Sequence, residues 1–407
     1  MEGGWNRSGA DAKIAIIGAG TSGITAANHL KTSGYNDVVL LEANSRLGGR
    51  VMSTFTCPDT GVKEFASVPL ELGPEFIHGD QNNLLLDYIK KHYPSVPLLQ
   101  AAWPNYFYFG KEGKLVGEKE AEQDKELMKM IDTFEMTGDL DADLIPEETL
   151  LQVKVGQGGG GGYGSGENMA KGLDIRLNWE VAEINYEQSK IKFTPPLPAL
   201  KAEATKLVKM GNAMKVILRV KTQFWPDDLW DVVCSDSLIP EFWLTPPAQA
   251  LKRAKMPEYY IVGFVSGDRA SRLAKLPHAE IARKMMLQLD AIFGSSSDPN
   301  PATRACTGFL VKDWAQERLA RGAYTFPSPD ALGKREALAS PIDSRIFFSG
   351  EATQTGVNPC LQAAMETGQR AAKEAMDSLN AQKQSEKRLL PVDSVQLTPT
   401  CPAESRL

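Results

Sequence analysis

Residues 13–50 read KIAIIGAGTSGITAANHLKTSGYNDVVLLEANSRLGGR, and the order of patterns in this stretch decides the fold. Residues 13–17 are a short apolar run that reads as a buried strand. Residues 21–33 set Ile24, Ala27 and Leu30 on one helical face, and 37–42 (DVVLLE) read as a second buried strand. Strand, helix and strand in this order imply a parallel βαβ unit. Between the first strand and the helix stands Gly18-Ala19-Gly20-Thr21-Ser22-Gly23, a G-x-G-x-x-G. Gly18 permits the tight turn, Gly20 lets the backbone approach a pyrophosphate, and Gly23 lets the helix pack against the strand. The helix N-terminus offers N–H groups and the positive end of its dipole to phosphate. Glu42 ends the second strand, 22 residues after Gly20, where a carboxylate takes the ribose hydroxyls of a dinucleotide. A glycine turn of purely structural purpose is the alternative, and Glu42 at this spacing argues against it. Leu47-Gly48-Gly49-Arg50 follows. A Gly-Gly turn alone is structural, but the arginine fork matches phosphate oxygens.

Outward from this stretch the chain of 407 residues is long enough for one large domain or two to three ordinary ones. Hydrophobic residues at 42% and charged residues at 24% are a globular balance. The net charge of -6 and the lack of a long Lys/Arg run argue against nucleic acid as a partner. No apolar stretch approaches the ~18–20 residues of a membrane span, and residues 1–12 lack the apolar core of a secretory signal. A soluble chain with no membrane partner is expected. The five cysteines are scattered without a C-x-x-C, which argues against a disulfide framework or a zinc site and fits a reducing compartment.

Further along, 105–117 suggest a hairpin around Gly110, 118–135 a helix, and 174–185 strand pairs. PPLP at 195–198 precedes a helix near 199–209. Residues 214–220, 258–264 and 345–349 read as strands, and 278–293 and 360–378 as helices. GQGGGGGYGSG at 156–166 holds eight glycines and reads as a linker. Residues 380–407 read as a polar flexible tail.

The run GAGTSG…LLEANSRLGGRV resembles the opening of the flavin-containing amine oxidase family, which includes monoamine oxidases, polyamine oxidases and lysine-specific histone demethylases. The resemblance continues through ELGPEFIHG (71–79), GLDIRLNWEV (172–181), PPLPALKAEA (195–204), KVILRVKTQFWP (215–226), DWAQERLARGAY (313–324), RIFFSGEAT (345–353) and CLQAAMETGQRAA (360–372). It implies an α/β fold: a Rossmann-like, GR2-type FAD-binding domain with an α+β substrate domain. The FAD domain is expected to be discontinuous, from 13–79, 167–194 and 320–378. The substrate domain is expected from 80–155 and 195–319.

By the same resemblance FAD would be contacted by Gly18, Gly20, Ser22, Gly23, Glu42, Arg50, the Gly73-Pro74-Glu75-Phe76 segment and the backbone of Val181. Gly350 and Glu351 would sit by the ribityl-phosphate. Cys360 and Leu361 would open a helix whose N-terminus stabilises negative charge on the isoalloxazine. Trp314 would pack near the flavin. Lys215 reads from its strand alone as an edge lysine. The motif makes it the family lysine that holds a water at the flavin. Tyr324 matches one wall of the aromatic substrate cage, and such faces suit an amine. His78 reads either as structural or as facing the substrate tunnel. Ala323 stands where monoamine oxidases carry the flavin-linking cysteine, which implies non-covalent FAD.

Three features depart from the family pattern. Cys360 stands where the family usually shows the second cage aromatic. The apolar strand before PPLP is missing where Tyr186-Glu187-Gln188-Ser189 passes almost straight into KIKFTPPLP. The substrate-domain helices between Glu148 and Gly162 give way to the glycine tract. The expected activity is FAD-dependent oxidation of an amine, a polyamine of the spermine or spermidine type, to an imine, with O2 reduced to H2O2. The departures leave two alternatives open. One is a flavin oxidoreductase acting on another amine or amino acid. The other is a catalytically impaired, truncated paralogue that only binds partners. Ser405-Arg406-Leu407 is similar to the S-K-L peroxisomal address, so an import receptor is an expected partner and the peroxisome, alternatively the cytoplasm, the expected location.

Overall fold

A computed structural model describes residues 12–57, 65–77, 83–94, 106–110, 113–121, 123, 125, 169–181, 184–185, 190–191, 196–234, 237–245, 258–326, 331–356 and 360–389. Along the chain the strands are β1 (Ile14–Ile17), β2 (Val38–Leu41), β3 (Ser53–Thr54), β4 (Leu70–Glu71), β5 (Tyr106–Phe109), β6 (Leu115–Gly117), β7 (Asp174–Arg176), β8 (Ile184–Asn185), β9 (Lys190–Ile191), β10 (Met210–Gly211), β11 (Ala213–Val220), β12 (Asp231–Cys234), β13 (Glu241–Thr245), β14 (Tyr259–Ser266), β15 (Cys306–Asp313) and β16 (Tyr324–Thr325). The helices are α1 (Thr21–Thr32), α2 (Leu84–His92), α3 (Glu118–Ala121), α4 (Ala199–Leu207), α5 (Gly267–Leu273), α6 (His278–Phe293), α7 (Pro301–Ala305), α8 (Lys334–Ala339) and α9 (Leu361–Leu389).

The fold is α/β. β1 and β2 run parallel with Ile14 opposite Val38 and Ile17 opposite Leu41, and α1 joins them. α1 buries Gly23, Ile24, Thr25, Ala26, Ala27 and Leu30. Its apolar stripe meets Met365 and Ala372 of α9 in one core with Val38 and Leu40. β7 completes this sheet by pairing in parallel with β2. The reading of 174–185 as strand pairs is therefore corrected for β7. Asn178, at φ 60, turns the chain, and the N–H groups of Asn178 and Trp179 donate to the carbonyls of Asn44 and Glu42. The chain thus follows β2 instead of folding back.

A seven-stranded sheet with the order β15-β11-β14-β13-β12-β5-β6 forms the second layer. β11 pairs antiparallel with β14 from Ala213 to Val220 and with β15 from Met214 to Val220, with a register shift after Arg219. Side chains alternate between the two faces of a strand. Met214, Val216, Leu218 and Val220 join a core with Ile281, Ala282, Met285 and Leu289 of α6, whose apolar residues recur at helical spacing. Each such Leu or Ile, fully buried, contributes about 1.5–3 kcal/mol. Ile217 faces the other way with Trp243, Tyr260, Val262 and Leu310, against Leu70, Leu72 and Phe65. This second face is the one that carries the candidate site.

Three further expectations are corrected or bounded. Residues 345–349 form no ladder; Ile346 makes an isolated bridge to Ile342, and the Phe348 carbonyl accepts from Arg370 Nη2. The side chain of α9 takes the place of a neighbouring strand. The 360–378 helix extends to Leu389, so residues 380–389 are not tail; they are good helix formers, and no proline interrupts them before Pro391. Of the expected 118–135 helix, Glu118–Ala121 is helical. Most of its remainder, the glycine tract and residues 390–407 lie outside the described residues. Among the described residues no helix is long and apolar enough to cross a membrane, and no cluster of metal-ligating side chains occurs.

Candidate active site

The glycine turn has the form its chemistry needs. Gly18 adopts φ 92, which favours glycine, and its N–H donates to the Leu41 carbonyl at 2.8 Å. A Cβ on Gly23 would lie 2.0 Å from the Gly18 carbonyl oxygen, so α1 sits against β1 only because residue 23 has no side chain. A Cβ on Gly20 would meet nothing, leaving open space above the turn. Gly20 is also the N-cap of α1, and no side chain caps that end. The second glycine turn is stitched to the first: the Gly48 N–H donates to the Ala19 carbonyl at 2.9 Å. Glu42 is buried, and its carboxylate accepts from the Ala19 N–H and the Asn44 N–H, both at 2.7 Å. Val181 is half-buried just beyond Trp179, whose N–H holds the Glu42 carbonyl.

Distant segments meet at the first turn of α1. Ser22 Oγ donates to Ser349 Oγ at 2.6 Å, which brings Gly350 (φ 123) alongside. Gly350 is held by Thr367 Oγ1 of α9 through its N–H. Glu351 is buried and accepts from the N–H and the hydroxyl of Thr325, with Arg335 and Arg50 nearby at 3.9 and 3.6 Å. Arg50 donates to the Ala323 carbonyl at 2.8 Å. A Cβ on Gly73 would lie 2.0 Å from the Arg50 carbonyl oxygen. Arg50 thus contacts both the Gly73–Phe76 loop and the strand that carries Tyr324.

On the site face of the large sheet, Lys215 is buried near the start of β11. Its Nζ donates to Glu75 Oε2 and to the Glu71 carbonyl, each at 2.9 Å. Trp243 Nε1 donates to the same Glu75 oxygen at 3.0 Å, and Nζ lies 5.3 Å from the centre of that indole ring. Phe76 packs edge-on against Trp243 with ring centres 5.3 Å apart. The register sets Glu241, Phe264, Lys215 and Lys312 in one cross-strand row, and Asp231 opposite Trp243. Directly opposed residues share a face, so both acids stand on the side of Lys215. Burial holds the Asp231 and Glu241 carboxyls above the ordinary range. Burial also pushes Glu71 up to about 7, against the Ser53 hydroxyl that lowers it. Tyr324 pairs with Gly211, and burial, then the Glu241 and Glu351 carboxylates, keep its phenol protonated well above the usual range.

Trp314 lies in the core, with Nε1 donating to the Leu72 carbonyl at 2.8 Å. Cys360 and Leu361 are half-buried at the start of α9, and Pro74 is half-buried. His78 lies outside the described residues. Sequence reasoning did not find Glu241, Asp231, Trp243, Thr325, Ser349 or Gly368. Only the sheet register aligns the first three with Lys215, whereas a glycine inside the 360–378 helical pattern was a visible signal of close approach.

A family model described as flavin containing amine oxidoreductase matches residues 21–152 and 188–376. The chain belongs to this family of flavin-containing amine oxidoreductases. The match breaks over the stretch that holds the glycine tract. Amine oxidase [flavin-containing] B of Bos taurus is 30% identical over 227 residues, 53% of this chain and 41% of the relative. The chain therefore spans about two fifths of the length of that relative. Polyamine oxidase 3 of Oryza sativa subsp. japonica is 26% identical over 454 residues, covering 88% of each chain. In three dimensions the fold matches wild-type putrescine oxidase bound to putrescine with a TM-score of 0.68, 18% identity and coverage of 90% and 99%.

FAD is the cofactor of this flavin-containing family. The residues present fit its ADP half. The space above Gly20 is open, the amide end of α1 is uncapped, and a buried carboxylate ends β2. Gly20, Ser22 and Arg50 would hold the pyrophosphate at the turn that Gly18 and Gly23 shape, and Glu42 the ribose.

Proposed function

We propose that this chain is an FAD-dependent amine oxidase whose substrate is a polyamine. The observation that carries the reading is Arg50, which ties the nucleotide grip to the Gly73–Phe76 loop beside Lys215 and to the segment that leads into Tyr324. Its backbone meets Gly73, two residues before Glu75, and its side chain meets the carbonyl of Ala323, next to Tyr324. FAD, when bound, would supply the redox chemistry that converts the amine to an imine with O2 reduced to H2O2. The chain supplies the rest. Phe76, Trp243 and Phe264 line the face with apolar surface that keeps the reacting bond dry. The neutral Tyr324 phenol orients the amine without repelling or trapping a proton. Lys215 holds a water with its remaining N–H. Polyamine oxidase 3 and putrescine oxidase, as relatives, support a substrate with more than one amine. The amine must be neutral to react, so the rate rises with pH through the substrate's ionisation.

A peroxide assay across spermine, spermidine, acetylated polyamines and amino acids tests the reading. Turnover of amino acids alone would refute the polyamine assignment and support the alternative motivated by Cys360. A second reading, a protein that binds without turnover, is favoured by the break in the family match between residues 152 and 188. Purified protein without flavin bands would support it and exclude the oxidase. Peroxisomal import through Ser405-Arg406-Leu407 is a separate proposal, tested by the location of a version lacking those residues.

A further inference from the structure

The Lys215 ammonium is held by two rigid pieces of chain that sequence reasoning did not connect. Lysine is a point charge with rotatable donors on a flexible stem, so its acceptors set where it points. Of its three N–H donors, two are engaged, by Glu75 Oε2 and the Glu71 carbonyl. Glu75 cannot follow the lysine if it moves. Its loop is clamped at Gly73 against the Arg50 carbonyl, and the same Oε2 is anchored by Trp243 Nε1. Both side chains are more than nine-tenths buried, 6% and 8% exposed. A buried ammonium without a partner is costly, and it would repel a cationic substrate.

We propose that Glu75 is the positioning residue for Lys215: it cancels the ammonium's charge and fixes its stem, leaving one N–H for the reaction chamber. The inference rests on the proposed role of Lys215. It predicts that Glu75 acts on turnover only through Lys215, whereas a merely structural ion pair would alter stability and leave turnover per folded, flavin-loaded molecule unchanged.

The test is a four-corner comparison of the parent, Glu75→Gln, Lys215→Met and the double variant. The kcat and KM of the best polyamine substrate are measured per bound flavin, and folding is followed by urea denaturation of flavin-free protein. Glu75→Gln keeps the shape and one acceptor oxygen but removes the charge. In the Lys215 background it should lower kcat by roughly 100-fold, the scale of a misplaced catalytic group, with KM shifting far less. In the Lys215→Met background the same change should cost less than about 2-fold. Equal costs in both backgrounds would overturn the proposal. If Glu75→Gln fails to fold, Glu75→Asp, which keeps the charge but shortens the reach, takes its place, and equal costs in both backgrounds again overturn the proposal. If the parent oxidises no amine, the proposed function fails on its own. The positioning role then falls with it, whereas equal costs in an active parent overturn the positioning role alone.

Discussion

Replacing Gly368 with alanine sets two opposed effects against each other in one helix. Gly368 lies inside α9 where that helix crosses the first turn of α1, and an added Cβ would come 2.4 Å from the Ser22 carbonyl oxygen and 3.2 Å from Thr25 Cβ. Alanine is the better helix former by about 1 kcal/mol, so propensity alone makes the variant more stable. The nearest atom is backbone, however, and cannot swing aside as a side chain would. Overpacking of this kind costs about 1–3 kcal/mol. We expect the clash to win by roughly 1 kcal/mol, since helix α9 must move out by roughly an ångström to restore contact distance. The same displacement pulls Ser22 from Ser349 and disturbs the amide end of α1. FAD affinity should therefore fall by about 10-fold, the equivalent of ~1.4 kcal/mol. The assays are urea denaturation of flavin-free protein and FAD titration followed by flavin fluorescence. Asn380→Ala, on the exposed side of the same helix, is the control that carries a propensity gain with no clash. If Gly368→Ala matches or exceeds the parent in both assays, the close crossing of α1 and α9 is refuted.

Other outcomes follow from the same geometry. Glu42→Gln exchanges a charge-assisted pair of amide contacts for weaker ones, about 1.5–3 kcal/mol for contacts to a charged group, and should lower flavin absorbance per protein without unfolding the chain. Gly73→Ala should disrupt both Arg50 and the Glu75 loop, seen as joint loss of flavin and turnover. Glu71 gives a pH signature: burial raises its folded pKa from 4.5 to about 7, so the folded chain binds the extra proton between those values. Its contribution is fully present below about 4.5 and lost as pH rises through about 7, and denaturation midpoints from pH 5 to 8 should fall accordingly, with Glu71→Gln flattening the slope. Tyr324→Phe keeps the ring and should raise KM for amines more than it alters FAD affinity, measured by steady-state kinetics and flavin titration.

The nucleotide grip was legible because its determinants are local. Apolar runs on either side of Gly18–Gly23, and Glu42 at the end of β2, are properties of neighbouring residues. Lys215 was visible as an oddity in an apolar strand, but its partner was not, because Glu75 lies 140 positions earlier and no periodicity spans that gap. The Glu241–Lys215 row likewise exists only once β13, β14 and β11 are in register. Residues 345–349 misled for a complementary reason. Their apolar pattern suits a strand, but the donor that satisfies the Phe348 carbonyl is the Arg370 side chain, a choice made by tertiary packing.

The crossing of α1 by α9 has a consequence for the life history of the chain. During synthesis the βαβ unit leaves the ribosome early, with Ile24, Ala27 and Leu30 lacking their cover until residues beyond 361 emerge. Cofactor capture is then a late, whole-chain event, since Ser349, Gly350 and Thr367 finish the cradle that Gly18 begins. Such long-range closure is slow, and the interval before it is when the nascent protein depends on chaperones and is open to aggregation. Abundant free FAD would shorten that interval by trapping the closed form as soon as it is sampled.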